Sequence, residues 1–320
     1  MKRSDPSSAI IDVAAAVVTQ ADGQVLLAER PAGKPWAGYW EFPGGKIEPG
    51  ESPLAALKRE LHEELGIELD RATPWLTREY AYPEKRVRLH FYRVSAWHGT
   101  PHGREGQRLS WENPGTVRVA PLLPANAPIL EALCLPPIYA ISQAGKLGVT
   151  EFMQRLQATL QRGLRLVQVR EPGMDPTKFS ELVHEVVKLT HAAGARVLVN
   201  GSVELARTSG ADGVHLTGRQ LMTINEAPGK FWSASCHNAH ELARAGELGA
   251  SFVVLSPVLP TVSHPGEPGI GWEKFEELVR NYPLPVYALG GMKQALLATA
   301  QEHGAHGVSL LSYIWRRDES

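Results

Sequence analysis

Residues 45–67 read GKIEPGESPLAALKRELHEELGI, and the first part of the chain is read outward from them. Ser52 and Pro53 form an N-cap and first-turn pair, and Gly66 is a C-terminal stop, so the spacing predicts a helix from Leu54 to Leu65. Leu54, Leu57, Leu61 and Leu65 recur at helical intervals and form a stripe expected to face a core. Glu60, Glu63 and Glu64 fall at i, i+3 and i+4, so their carboxylates share the other face, and Glu51 can approach from the preceding loop. Carboxylates this close repel one another and raise their own pKa values unless a divalent cation or a basic partner compensates. All-oxygen donors suit Mg²⁺ or Mn²⁺, and Mg²⁺ completes its shell with substrate phosphates and water. Arg59 stands four residues before Glu63, where an ion pair would hold that carboxylate, and Gly44 and Gly45 would let backbone approach the metal.

Upstream, two apolar stretches, Ile10 to Thr19 and Val25 to Ala28, flank Gln20-Ala21-Asp22-Gly23, where Asp-Gly signals a tight hairpin; the chain is expected to open as antiparallel sheet. Downstream, strands are expected at Leu76 to Tyr82 and Val87 to Trp97, a loop from His98 to Gly115, and a short helix from Pro128 to Leu133. Pro136 and Pro137 cannot continue that helix, because proline lacks the amide donor and disfavours helical geometry before it. The expected organisation is a first domain over 1–133, a linker at 134–137 and a second domain over 138–320.

After the prolines the grammar changes to short apolar strands alternating with helices. Strands are expected at Ile138 to Ile141, Leu166 to Val169, Val197 to Val199, Val214 to Leu216, Trp232 to Ser235, Phe252 to Leu255, Val286 to Leu289 and Val308 to Leu310. That rhythm predicts a (β/α)8 TIM-type barrel with short helices or loops. The expected fold class is thus an α+β domain, a mixed sheet with helices on its faces, followed by an α/β barrel.

The 33 Lys and Arg against 34 Asp and Glu leave a net charge of -1, which gives no global attraction to nucleic-acid backbones or acidic membranes. No direct nucleic-acid binding and no membrane association are expected. Cys134 and Cys236 show no CxxC spacing and read as inert packing residues of a reducing compartment. Met1 to Ser8 is polar without the apolar core of a signal peptide, and no 18-residue apolar run occurs, so a soluble cytoplasmic protein is expected.

Residues 45–67 match the pattern Gx5Ex7REUxEExGU, with U aliphatic, at every specified position, which identifies a Nudix box. Over Ile11 to Leu133 the chain also resembles the MutT-type 8-oxo-dGTP diphosphatases. The resemblance rests on Glu41-Phe42-Pro43-Gly44-Gly45-Lys46-Ile47-Glu48, Gly103-Arg104-Glu105-Gly106-Gln107 and Pro124-Ala125-Asn126. It implies that the Gly44 carbonyl, Glu60, Glu63, Glu64 and Glu105 bind metal and activate water, with Glu51 in support. Glu60 and Glu105 compete for the role of general base. Asn126 would read the base, since one amide offers both a donor and an acceptor to a purine edge, or would cap the following helix. Arg30 and Phe42 fall where a phosphate or base contact is expected, although Phe42 reads equally as core and Arg30 as surface. The implied reaction is attack of water on the β-phosphorus of a nucleoside triphosphate, releasing nucleoside monophosphate and pyrophosphate.

From Ile138 to Ile314 the chain resembles the barrel family of thiamine phosphate synthase and TenI-type tautomerases. The carrying segments are Val167-Gln168-Val169-Arg170-Glu171, Ala211-Asp212-Gly213-Val214-His215-Leu216, Ser256-Pro257-Val258-Leu259-Pro260-Thr261 and Pro285-Val286-Tyr287-Ala288-Leu289-Gly290-Gly291-Met292. Gly290, Gly291 and Ser309 occupy the region where such barrels bind phosphate, the glycines reading alternatively as a tight turn; Arg170 and His237 are further ligand candidates. His237 reads either as a proton-transfer group or as a structural histidine. Where the synthases carry Mg²⁺-binding aspartates and a phosphate-contacting lysine, this chain has Gly201, Gln220 and His264, and Pro172 stands where a lysine is common. Loss of those ligands implies a barrel without synthase chemistry that still takes a small phosphorylated ligand. Two other readings are a thiamine-pathway enzyme that hydrolyses a thiamine-related pyrophosphate, and a sensor whose barrel tunes the hydrolase.

Overall fold

The computed structural model describes residues 10–261, 266 and 268–316, which fall into two compact units, one running to Leu135 and including Arg280–Pro283, the other comprising Pro136–Val279 and the residues from Leu284 onward. The first unit comprises β1 (Ile10–Val18), β2 (Val25–Glu29), β3 (Trp40–Glu41), β4 (Gly44–Lys46), α1 (Pro53–Leu65), β5 (Glu68–Ala81), β6 (Arg86–His98), β7 (Leu109–Glu112) and α2 (Ala127–Leu133). A four-stranded sheet runs in the order β4-β1-β6-β5 and a three-stranded one in the order β3-β2-β7. β1 pairs antiparallel with β4 and parallel with β6, so the larger sheet is mixed, as the sequence predicts.

The expected opening hairpin does not form. The tight turn exists, with the Gly23 amide donating to the Gln20 carbonyl at 2.9 Å, but between β1 and β2 only an isolated bridge, Thr19 to Val25, follows it. A strand has two hydrogen-bonding edges, and β1 gives both to β4 and β6, which sends β2 into the other sheet. The loop expected over 98–115 likewise contains β7, which pairs antiparallel with β2.

Alternation along β1 divides the core. Ala14, Ala16 and Val18 pack with Ala56, Leu57, Leu61 and Leu65 of α1, whereas Ala15 and Val17 pack with Val25, Leu27, Trp40, Phe42, Phe91 and residues of α2. α1 begins where the sequence predicts: the Ser52 hydroxyl accepts from the Ala55 amide, Pro53 opens the first turn, and Gly66 closes the helix in the left-handed conformation at φ 67°. Leu54 departs from the expected stripe. Its angle matches, but in the first turn it remains 37 % exposed.

The second unit is a closed barrel of parallel strands: β8 (Ile138–Ile141), β9 (Leu166–Val169), β10 (Arg196–Asn200), β11 (Gly213–Leu216), β12 (Trp232–Cys236), β13 (Phe252–Leu255), β14 (Val286–Ala288) and β15 (Gly307–Leu310). Ring closure is made by β15 on β8 and β8 on β9. The connecting helices include single turns such as α3 (Ala144–Leu147) and Gly218–Leu221, which accounts for the small size of the domain. Cys236 is buried in β12, and burial pushes its thiol up to about 12; Cys134 is exposed, so the packing role expected of both holds only for Cys236. Among the described residues no helix is long and apolar enough to cross a membrane.

Because Leu61 is fully buried between α1 and the sheet, Leu61→Ala is expected to destabilise the first unit by about 2–5 kcal/mol. Amide hydrogen exchange across residues 53–65 should accelerate correspondingly while exchange in β8–β15 stays unchanged.

Candidate active site

A cleft of about 360 Å³ opens in the first unit, lined by Arg30, Lys34, Trp36, Glu41, Phe42, Gly44, Gly45, Glu60, Glu64, Tyr82, Glu105 and Asn126 among others. β3, β4, α1 and the 102–107 loop each supply part of it, so the predicted segments, far apart in sequence, meet at one place.

Gly45 explains how α1 comes so close to β4. A Cβ built on Gly45 would lie 2.1 Å from the Glu60 carboxyl carbon, and one on Gly44, at φ 144°, would lie 2.1 Å from the Ala14 carbonyl oxygen. Gly44 accepts no side chain, because the clash is with backbone and its φ is one that L-residues rarely adopt; at Gly45 a side chain would have to displace the Glu60 carboxylate.

The carboxylates are not equivalent. Glu60 and Glu64 are mostly buried and line the cleft, while the Glu63 side chain is 58 % exposed and lies outside the lining. Arg59 chiefly holds residues other than Glu63: its Nε and Nη2 donate to both Glu51 oxygens at 3.1 and 2.9 Å, and its Nη1 to Glu60 Oε1 at 2.7 Å. The expected pair with Glu63 is looser, at 3.6 Å. Arg59 Nη2 also donates to the Lys46 carbonyl, so the guanidinium, with its fixed fork of donors, ties the loop before α1, the helix and β4 together. Burial, and after it the Glu60 charge, pushes the Glu64 carboxyl up to about 7.

Glu105 reaches the cleft because its loop caps the C-terminus of α1. The His102 and Arg104 amides donate to the Leu65 and Glu64 carbonyls at 3.1 and 3.0 Å, and Arg104 Nη1 donates to the His62 carbonyl. Gln107, buried, donates from Nε2 to the Glu64 carbonyl at 3.0 Å and accepts the Glu105 amide at 2.8 Å. Carbonyls that a helix end leaves unpaired are thus bonded by the segment that carries Glu105. Lys34, from the loop after β2, ion-pairs with Glu105 and stands 3.9 Å from Glu64. Sequence reasoning missed Lys34 and Gln107, because neither belongs to a periodic pattern.

Among the other expected contacts, Arg30 ion-pairs with Glu41 and donates from Nε to the Pro35 carbonyl, and Phe42 is core, edge-on to Phe91. Asn126 does not cap α2: its side chain makes no capping bond, and Nδ2 reaches the Trp40 carbonyl at 3.4 Å. Its residue is already helical at φ −90°, ψ −24°, whereas an N-cap side chain folds back from extended backbone.

Among the described residues no group of three or more His, Cys, Asp or Glu side chains is placed to hold a metal ion; Arg59 donates to Glu60 and Lys34 to Glu105. The donor set still fits a hard cation, because Mg²⁺ needs only one or two carboxylates beside substrate oxygens, and Glu64 is a buried carboxylate crowded by like charge.

In the barrel, the buried His215 ring lies 2.6 Å from Ser233 Oγ through Nδ1 and 2.9 Å from Ser235 Oγ through Nε2, and Gln168 Nε2 donates to the nearby Tyr139 hydroxyl. Burial pushes the His215 imidazole down to about 3. Ser309 is fully buried with no partner for its hydroxyl. Arg170 is exposed at the end of β9; the His237 Nδ1 stands 2.8 Å from the Ser256 carbonyl. A Cβ on Gly290 or Gly291 would meet the 257–260 segment at 2.8 Å, which gives these glycines a close-packing reason beside the expected phosphate role. Gln220 Nε2 donates to the Gly201 carbonyl at 2.6 Å, so two of the positions singled out in the sequence are joined by a neutral hydrogen bond. Pro172 lies in the turn after β9, and His264 lies outside the described residues.

Residues 10–133 match the family model "NUDIX domain" and residues 138–314 the model "Thiamine monophosphate synthase". The chain joins a Nudix hydrolase to a barrel of the thiamine monophosphate synthase family. The Nudix part is 44 % identical over 123 residues to the CTP pyrophosphohydrolase of Escherichia coli, covering 38 % of this chain and 90 % of that protein. It is 41 % identical over 124 residues to the 8-oxo-dGTP diphosphatase of Haemophilus influenzae, covering 39 % and 91 %. The barrel is 35 % identical over 184 residues to a Geobacter sulfurreducens protein named as a candidate thiamine-phosphate synthase, covering 55 % and 85 %. The fold expected for each half is therefore correct, and the Nudix half is a nucleotide pyrophosphohydrolase of a family that generally uses divalent metal ions.

The barrel histidine makes a pH prediction. His215 ordinarily titrates at 6.5 but is held near 3 when folded, so below 6.5 the unfolded chain takes up a proton that the folded barrel refuses. The stability of the barrel is expected to be full above pH 6.5 and to decline as pH falls toward about 3. His215→Gln should flatten that part of the profile, measured by urea unfolding at a series of pH values.

Proposed function

We propose that the Nudix unit hydrolyses an oxidised purine nucleoside triphosphate, 8-oxo-dGTP or a close relative, to the monophosphate and pyrophosphate. The observation that carries this reading is a single cleft holding both the half-buried carboxylates Glu60 and Glu64 and an Asn126 amide that does not serve as a helix cap. Asn126 addresses the base edge, with Phe42 as the apolar floor beside it. The likeness to the 8-oxo-dGTP diphosphatase supports that substrate class.

Mg²⁺, or Mn²⁺ in its place, would be held by the Gly44 carbonyl, Glu60, Glu64 and Glu105, with Glu51 and Glu63 in support, and would polarise phosphoryl oxygens and lower the pKa of the attacking water. Glu60 or Glu105 accepts the proton of that water as oxygen adds to the β-phosphorus and the bond from that phosphorus to the oxygen bridging to the α-phosphate breaks. Arg59 orients Glu60 and Glu51 rather than touching substrate. Arg30, neutralised by Glu41, shapes the loop beside the cleft.

We further propose that the barrel takes a small phosphorylated ligand through Arg170, His237, Gly290, Gly291 and Ser309 without catalysing thiamine phosphate synthesis. The Gln220–Gly201 bond supports this, since a neutral amide in place of aspartate provides no anchor for Mg²⁺-pyrophosphate.

The full chain with Mg²⁺ should turn over 8-oxo-dGTP in preference to dGTP, CTP, other nucleoside triphosphates, ADP-ribose and thiamine pyrophosphate, with pyrophosphate as product. Preference for thiamine pyrophosphate would replace this reading with a thiamine-pathway one, and preference for CTP would remove the role given to Asn126. Glu60→Gln and Glu64→Gln are each expected to abolish hydrolysis while circular dichroism stays native. A thiazole or pyrimidine phosphate at about a hundred times its Kd should stabilise the barrel by about 2.7 kcal/mol; no change in melting temperature with either would leave the barrel as a scaffold.

A further inference from the structure

We infer that Lys34 is a resident cation of the carboxylate site: it neutralises Glu105 and Glu64 while the site lacks a divalent ion, and it passes to the substrate's terminal phosphate when metal and nucleotide enter. The inference rests on the metal site proposed above and adds a residue that no part of the Nudix pattern contains.

Its ammonium ion-pairs with Glu105 and stands 3.9 Å from Glu64, and these contacts hold the ammonium in its charged form. Both carboxylates are on the cleft wall, as is Lys34 itself. A divalent cation bound by those carboxylates would repel an ammonium at such range, so the two cannot share the site at full occupancy. A lysine is suited to the exchange, because a compact charge on a four-carbon stem can relocate by side-chain rotation alone.

The backbone under it is fixed. The Gly38 amide donates to the Arg30 carbonyl at 2.9 Å, the Arg30 amide donates to the Tyr39 carbonyl at 2.8 Å, and Arg30 Nε donates to the Pro35 carbonyl at 2.7 Å. Lys34 therefore projects from a closed loop whose base is pinned on both sides. The displaced ammonium needs a new anion, and the triphosphate is the anion that arrives with the metal. Lys34 thus lowers the affinity of the free protein for metal and raises the affinity of the metal-loaded protein for triphosphate, a coupling between two ligands through one side chain.

The test is Mn²⁺ binding to the full chain without nucleotide, read as loss of the free-ion electron paramagnetic resonance signal, for wild type, Lys34→Met, Lys34→Arg and Glu64→Gln. Lys34→Met is expected to bind Mn²⁺ about fivefold more tightly than wild type, the size of an exposed ion pair removed. Lys34→Arg, which keeps the charge, should remain within about twofold of wild type. With Mn²⁺ saturating, Lys34→Met should bind a non-hydrolysable nucleoside triphosphate on the order of tenfold more weakly, as expected for a lost charge-assisted hydrogen bond. Mn²⁺ binding that is lost in Glu64→Gln but unchanged or weaker in Lys34→Met would overturn the role of Lys34 and leave the metal site standing. Mn²⁺ binding that Glu64→Gln does not weaken would overturn the metal site and this inference together.

Discussion

Crowded carboxylates can be held on α1 only because its other face is fixed by burial. Leu57, Leu61 and Leu65 are fully buried against the larger sheet, and burying each stabilises the packing by roughly 1.5–3 kcal/mol. That dry contact sets the rotation of the helix, which in turn fixes the direction in which Glu60 and Glu64 point. Glu60 reaches back so far that its carboxylate occupies the space a Cβ on Gly45 would take. Arg59 then compensates part of the repulsion by reaching Glu51, Glu60 and the β4 backbone at once. Packing on one side and charge on the other act on a single rigid element.

What the sequence made legible follows from which signals are local. Ser52, Pro53 and Gly66 delimit α1 by the chemistry of helix ends, and the eight barrel strands stand out because each is a short apolar run between helices. The opening hairpin failed because Asp-Gly describes a turn, whereas the pairing of β1 depends on β4 and β6 competing for its edges. β7 is short, and its pairing with β2 is a long-range fact with no local mark. Within the cleft, the Nudix glutamates were legible through helical spacing; Glu105 came from resemblance alone. Lys34 was invisible, since a lysine in a Pro- and Gly-rich loop reads as surface until the fold brings Glu105 to it, and Gln107 stood in the MutT-like segment with no role assigned.

The barrel meets the demand for hydrogen bonds differently in its interior and at its rim. Its strands close in the order typical of a TIM-type ring, and its interior retains a hydrogen-bonded cluster of Tyr139, Gln168, His215 and Ser233. A buried neutral histidine between two hydroxyls satisfies its ring nitrogens without charge, which keeps a polar interior compatible with a packed core. At the rim, by contrast, the Gln220 amide is used on the Gly201 carbonyl.

Finally, the 102–107 segment inverts the usual tolerance of loops. Surface connections ordinarily absorb insertions cheaply, because closure entropy grows slowly with length. Here the backbone amides of His102 and Arg104 meet the carbonyls of Leu65 and Glu64, and the Gln107 side chain meets the Glu64 carbonyl as well. One added residue would slide that register, so Glu105 would leave the cleft although the loop still closed. Along this stretch the spacing between residues, more than their identity, holds Glu105 at the cleft.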